Sequence, residues 1–183
     1  VLGGLVENTY IGKVWMEGID INSDISVEIL GKFNQIGGAV GNLSGKNSKF
    51  EDSYVSGSIV MDNNEQGGAV GKLTDATIRN VVSNVQGRSN KPATWQEKSG
   101  FLGSAVVEPK YGLNWNLHSC ISIGNAGNNY KFFGRSLLNV PIENMNNCYE
   151  YTSATGASNV YENKLLTTDN IHNIALYKET LNF

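Results

Sequence analysis

The apolar residues of this chain come in short bursts rich in β-branched and aromatic side chains, each bounded by Gly, Asn or Ser. That pattern predicts short strands. Before the C-terminal tail, no window carries an i, i+3, i+4, i+7 stripe long enough to compete as a helix. The bursts also repeat. GGAVG occurs at Gly37–Gly41 and again at Gly67–Gly71, with relatives at Gly3-Gly4-Leu5-Val6 and Ser99-Gly100-Phe101-Leu102-Gly103, and a degraded copy at Phe132-Phe133-Gly134. The starts at 3, 37, 67, 99 and 132 lie 34, 30, 32 and 33 residues apart.

A second column runs beside the first. It reads Ile11-Gly12-Lys13-Val14-Trp15, Phe50-Glu51-Asp52-Ser53-Tyr54, Ile78-Arg79-Asn80-Val81-Val82, Leu117-His118-Ser119-Cys120-Ile121 and Met145-Asn146-Asn147-Cys148-Tyr149. Each copy opens on a large apolar residue, passes two mostly polar ones and a small or apolar one, and closes on an aromatic or β-branched one. In the first two copies a glycine follows at the same offset, Gly18 and Gly57. Insertions such as Ser89–Lys98 fall between the columns, as loops would.

A unit of this length holding two or three short strands cannot bury its own apolar face, and stacking on copies of itself solves the problem. The expected fold is therefore all-β: a parallel β-solenoid (β-helix) of about five coils, with equivalent residues stacked at roughly 4.8 Å. Gly37, Gly38, Gly41, Gly67, Gly68, Gly71, Gly100 and Gly103 are the structural glycines, allowing positive φ or a close backbone approach at the corners. The alternative is an antiparallel sandwich with coincidental repeats, kept open by the uneven spacing of the second column, whose starts lie 39, 28, 39 and 28 residues apart.

The tail breaks the pattern. From Leu165 to Glu179 it reads as a short helix capped by Thr168 or Asp169, with Ile171, Ile174 and Tyr177 along one side. The division is thus residues 1–160 as repeats and 161–183 as a helical cap over the last coil or a link to a downstream domain. An open coil end is an unpaired strand edge that needs such a cover.

Composition adds little chemistry. Among 183 residues, 40% are apolar, 17% charged, 21 are Gly and 3 are Pro, with a net charge of −3. Lys and Arg are scattered, so neither a nucleic-acid surface nor a basic membrane patch is expected. No run approaches a membrane span. The chain opens at Val1-Leu2-Gly3-Gly4, already inside a repeat, and reads as a piece of a longer protein. Cys120 and Cys148 share a column in successive copies. Stacked, their Cα atoms would lie about 5 Å apart, within disulfide reach. The favoured reading is two small buried thiols filling a core ladder.

Gly-Gly-apolar-Val-Gly followed by a strand of the form apolar-x-Asn-Cys/Val-Tyr resembles the GLUG repeat. That repeat occurs in the immunoglobulin A1 protease family of Gram-positive surface zinc metalloproteases and in other bacterial surface proteins. The ending Tyr177-Lys178-Glu179-Thr180-Leu181-Asn182-Phe183 resembles the family's segment between repeats and protease domain. The resemblance implies a secreted, cell-wall-attached parent whose downstream protease domain carries zinc and acts on host glycoproteins such as immunoglobulin A1. It implies no catalytic residue and no cofactor in this chain. A zincin places two His at i, i+4 on one helix with a Glu as base, whereas the only histidines here are His118 and His172.

Other chemistry is sparse. Asp20-Ile21-Asn22-Ser23-Asp24 opens like a calcium loop, but its sixth and twelfth positions are Ile25 and Gly31. Asp62-Asn63-Asn64-Glu65 reads as a polar turn. Glu51, Asp52 and Asp75 are the carboxylates a polysaccharide lyase or hydrolase would need, yet they do not recur in one column. Trp15, Tyr54 and Tyr149 would form an aromatic stripe, explained by ladder packing or by a binding face. Three functions follow: a non-catalytic solenoid of a metalloprotease serving as spacer and substrate-binding exosite, an adhesin repeat without a protease, or a carbohydrate-active β-helix enzyme.

Overall fold

A computed structural model describes residues 3–7, 10–12, 15–21, 35–60, 65–88, 98–106, 115–125, 132–134, 145–151, 153–154 and 165–181. The strands run β1 (Gly3–Glu7), β2 (Tyr10–Gly12), β3 (Trp15–Ile21), β4 (Ile36–Gly37), β5 (Val40–Ser44), β6 (Lys49–Val60), β7 (Gln66–Gly67) and β8 (Val70–Thr74). They continue as β9 (Thr77–Arg88), β10 (Lys98–Ser99), β11 (Leu102–Val106), β12 (Asn116–His118), β13 (Ile121–Ser122), β14 (Met145–Asn146), β15 (Tyr149–Tyr151) and β16 (Leu165–Leu166), before the helix α1 (Ile174–Leu181). The chain is mostly parallel β-sheet. One sheet runs β1-β5-β8-β11, a second β10-β7-β4, and a nine-stranded third is built around β6 and β9. Every strand pairing among the described residues is parallel.

The second column holds its register throughout. Ile11 pairs with Phe50, Phe50 with Ile78, Ile78 with Leu117 and Leu117 with Met145. Trp15, Tyr54, Val82, Ile121 and Tyr149 form the matching row. The uneven spacing lies between paired strands and leaves their alignment intact. Gly57 pairs with Ile19 and not Gly18, because β3 slips between Met16 and Ile19.

The first column holds for three copies: Gly37, Gly67 and Ser99 align, as do Val40, Val70 and Leu102. Its outer copies are offset from the sequence expectation. Gly3 pairs with Val40 and not Gly37, which sets Val6 beside Leu43. Phe133 bridges Leu102, so Phe132-Phe133-Gly134 corresponds to Phe101-Leu102-Gly103. The cause is aromatic packing, since the Phe101 and Phe132 rings stack with centroids 4.7 Å apart and planes 5° apart.

Two backbone devices make the corners. At GGAVG the need is close approach: a Cβ on Gly37 would lie 2.0 Å from the Val40 carbonyl oxygen and 2.7 Å from the Gly71 nitrogen. Positive φ falls elsewhere, four times on polar residues of the second column: Asp52 at 49°, Asn80 at 54°, Ser119 at 54° and Asn147 at 51°. Asp and Asn tolerate that region best among non-glycine residues. At three of these corners the next residue closes the turn with its own side chain. The Ser53 hydroxyl donates to the Glu51 carbonyl at 2.6 Å, and the Cys120 and Cys148 thiols reach the His118 and Asn146 carbonyls at 3.3 and 3.5 Å. Asn80 also donates through Nδ2 to Asp52 Oδ1 at 2.8 Å.

One consequence is measurable by urea unfolding. Asn80→Val is expected to cost about 1–2 kcal/mol for the left-handed backbone, plus about 1 kcal/mol for the Asp52 bond. Asn80→Gly is expected to lose only the second part.

Between the sheets lies a continuous apolar core that includes Val40, Leu43, Phe50, Val70, Leu73, Ile78, Leu102 and Leu117, all fully buried. Trp115 stacks on Phe133 at the same level. The tail departs from expectation. Leu165 and Leu166 are an edge strand paired with β15, and turns follow before helix α1 begins at Ile174. Asn173, and neither Thr168 nor Asp169, is the cap: its Oδ1 accepts from the Ala175 N–H at 3.0 Å. The reason is burial, because Leu166 is fully covered at the sheet edge, where helix would expose it. Leu176 and Tyr177 face the protein, while Ile174 is 70% exposed.

Candidate binding face

The nine-stranded sheet turns alternate residues outward, as the period of two requires. On β6 and β9, Val55 and Ser83 point in and are fully buried, so Tyr54, Ser56 and Ser58 on one strand and Val82, Asn84 and Gln86 on the next share the outer side. A hydrogen-bonded chain crosses this surface. Asn84 Nδ2 donates to Tyr54 Oη at 3.1 Å, Gln86 Nε2 to Asn84 Oδ1 at 3.4 Å, and the Asn125 N–H to Gln86 Oε1 at 3.1 Å.

The character changes along the sheet. Toward β13, β15 and β16 the outer residues become Ile121, Ile123, Tyr149, Tyr151 and Leu166, and Leu176 and Tyr177 of α1 pack onto them. The same cluster takes in Val82 and the half-buried Tyr54, and α1 lies against β9, the strand that carries the half-buried Asn84 and Gln86. Asn84 and Gln86 were not singled out in the sequence. The signal available was the alternation Val82-x-Asn84-x-Gln86, which puts two amides on one side of one strand.

Of the three aromatic candidates, Trp15 pairs with Tyr54 through the backbone of β3. Tyr149 shares their row but is separated from Tyr54 by Val82 and Ile121, three strand steps or roughly 14 Å. The continuous aromatic stripe is thus not formed, because β-branched residues occupy the two intervening strands. Tyr54 and Tyr149 both pack on the apolar cluster of Val82, Ile121 and Leu166.

The candidate carboxylates do not assemble into a paired acid and base. Glu51 is buried and held by Arg79 at 3.1 Å. Asp52 accepts from Asn80, and Asp75 sits on the separate β8–β9 turn at φ 53°. His118 lies in β12 between Arg79 and Asn146. No group of three or more His, Cys, Asp or Glu able to hold a metal occurs among the described residues. Of the calcium-like stretch, residues 22–24 lie outside the described residues, as do residues 62–64 of the other polar turn. Glu65 of that turn has a structural task. It is buried at φ 50°, its Oε1 lies 2.9 Å from Lys72 Nζ, and it accepts from the Ser104 hydroxyl at 3.1 Å. Removing Lys72 would leave the buried Glu65 carboxylate without its cation.

Among the described residues the face offers a phenol, amides and hydroxyls. No protein-family model matches the chain, and neither a curated protein nor a solved structure matches it.

Burial pushes the Tyr177 hydroxyl above its ordinary value of 10.0. The neutral phenol is the form favoured in the folded state. The stability it contributes is complete below pH 10.0 and is lost as pH rises through the raised folded value. Alkaline titration of α1 docking, followed by Tyr fluorescence, is expected to show release in that window. Tyr177→Phe is expected to shift the release to higher pH.

Proposed function

We propose that this chain is a parallel β-solenoid of about five coils serving as a non-catalytic module of a secreted, cell-wall-attached bacterial zinc metalloprotease of the immunoglobulin A1 protease type. It acts as a stiff spacer and as an exosite for a host glycoprotein such as immunoglobulin A1, with zinc and the catalytic residues in a downstream domain. The observation that carries this reading is the five-fold register of the second column, from Ile11 to Met145. Such stacking presents one long continuous surface, the form in which repeat proteins display binding faces. The GLUG-like motif and the tail supply the family. The carbohydrate-enzyme reading loses support because Glu51, Asp52 and Asp75 are engaged or apart.

An exosite works by raising the substrate's effective concentration near a tethered active site. The immobilised chain is expected to bind immunoglobulin A1 saturably. Tyr54→Ala and Asn84→Ala are each expected to weaken binding about tenfold, the loss of roughly 1.4 kcal/mol, with the β-sheet circular dichroism of the folded protein retained at the assay temperature. Binding that ignores both substitutions would remove this face from the reading. Metal-dependent proteolysis by the chain alone would overturn the non-catalytic assignment. A parent reading frame with further repeats, a wall anchor and no His-Glu-x-x-His would favour the adhesin.

A further inference from the structure

Cys120 and Cys148 follow the same corner in neighbouring copies. Leu117 pairs with Met145 on one side of them and Ile121 with Tyr149 on the other, an offset of 28 residues in both cases, which sets the two cysteines at matching corners between adjacent parallel strand pairs. Both are buried, at 0% and 2% exposure, and both are free thiols. Their side chains point the same way. Each thiol reaches the carbonyl two residues back and the carbonyl of the large apolar residue in the preceding copy, Ile78 for Cys120 and Leu117 for Cys148, both at 3.7 Å. Facing residues of parallel strands are separated by roughly 4.8 Å at Cα, inside the range a disulfide spans.

We propose that Cys120 and Cys148 form a covalent latch, closing into a disulfide between adjacent copies when the folded domain meets a small-molecule disulfide oxidant. One cysteine thiolate attacks a sulfur of the oxidant, forming a mixed disulfide and releasing one small thiolate. The second cysteine thiolate then attacks the protein-side sulfur and expels the second. Two electrons pass to the oxidant, and the two protons shed by the cysteines end on its two thiols. The latch joins β13 to β15, one strand from the sheet end formed by β16. That is where a coil opens most readily.

Burial, reinforced by the neighbouring Cys148, holds the Cys120 thiol well above its ordinary value of 9.0. The thiolate is scarce in the closed state, so closure is gated by opening of this edge and proceeds slowly at neutral pH. The Ser53 hydroxyl at the equivalent corner makes the same i−2 bond, so a hydroxyl suffices for packing there. Nothing in the corner's geometry requires sulfur.

The test uses the full chain, folded, incubated with glutathione disulfide and then alkylated under denaturing conditions for intact-mass and peptide analysis. The expected product has lost two hydrogens, carries no glutathione and links the peptides containing Cys120 and Cys148. Its melting temperature is expected to rise by roughly 5–10 °C, reversed by reductant. Persistent glutathione adducts, or two thiols still free after the protein has been cycled through partial unfolding with the oxidant present, would overturn the latch. Cys120→Ser and Cys148→Ser provide the check on folding: each is expected to keep the reduced protein's melting temperature and to show no rise on oxidation. A rise in either variant would contradict the assignment.

Discussion

Gly67→Ala is expected to abolish the cooperative folding transition. A Cβ at this position would lie 1.9 Å from the Val70 carbonyl oxygen, 2.6 Å from the Gly103 nitrogen and 2.6 Å from the Phe101 carbonyl oxygen. All three are backbone atoms in neighbouring strands, so no side chain can swing aside. Relief requires parting β7 from β8 and from the next copy, which breaks the Gly67–Ser99 and Val70–Leu102 pairings together. The loss should exceed about 4 kcal/mol, within reach of the whole stability of a domain. Urea unfolding read by circular dichroism checks it. The exposed Lys46→Ala is the control and is expected to stay within about 0.5 kcal/mol of the parent. A Gly67→Ala protein with the parent's midpoint would show that the GGAVG corner is not packed backbone to backbone.

Phe101→Ala is expected to cost about 3–5 kcal/mol. The ring is fully buried and stacked on Phe132, between the fourth copy and the degraded fifth. Truncation leaves a cavity that cannot collapse, because the Phe101 carbonyl is fixed by the N–H groups of Ala69 and Val70 at 2.9 and 3.0 Å. Phe101→Leu refills most of the volume and is expected to recover about half of the loss. Thermal unfolding of the two variants side by side measures both.

How much of this was legible in the sequence depended on what each position must match. The second column was readable because parallel stacking sets like on like: Phe50, Ile78 and Leu117 fill equivalent core sites, so their types recur. The corner residues Asp52, Asn80, Ser119 and Asn147 were visible only as polar, although Asp, Asn and Ser are the turn-forming types the left-handed corner favours. Glycine in sequence fits either a positive φ or a close approach, and at GGAVG it is close approach that decides. The outer copies of the first column slipped because Gly-Gly-apolar near Gly3 fits more than one register. Hydrogen bonding with Val40 and ring stacking at Phe132 made the choice. Leu165-Leu166 fits a helix start as well as an edge strand, and only the buried site beside Tyr151 distinguishes them. The Tyr54–Asn84–Gln86 chain needs the register of β6 on β9 before its members become neighbours.

The most direct test of the architecture is a set of inter-strand nuclear Overhauser contacts in isotope-labelled protein. Parallel stacking in the observed register requires contacts between Phe50 and Ile78, Ile78 and Leu117, and Leu117 and Met145, with the residue-number difference constant along each strand pair. Glu51 should then contact Arg79, and Tyr54 should contact Val82. Contacts in which the sum of residue numbers stays constant would mean antiparallel hairpins. They would contradict the stacked register on which the binding face, the corner glycines and the cysteine latch all rest.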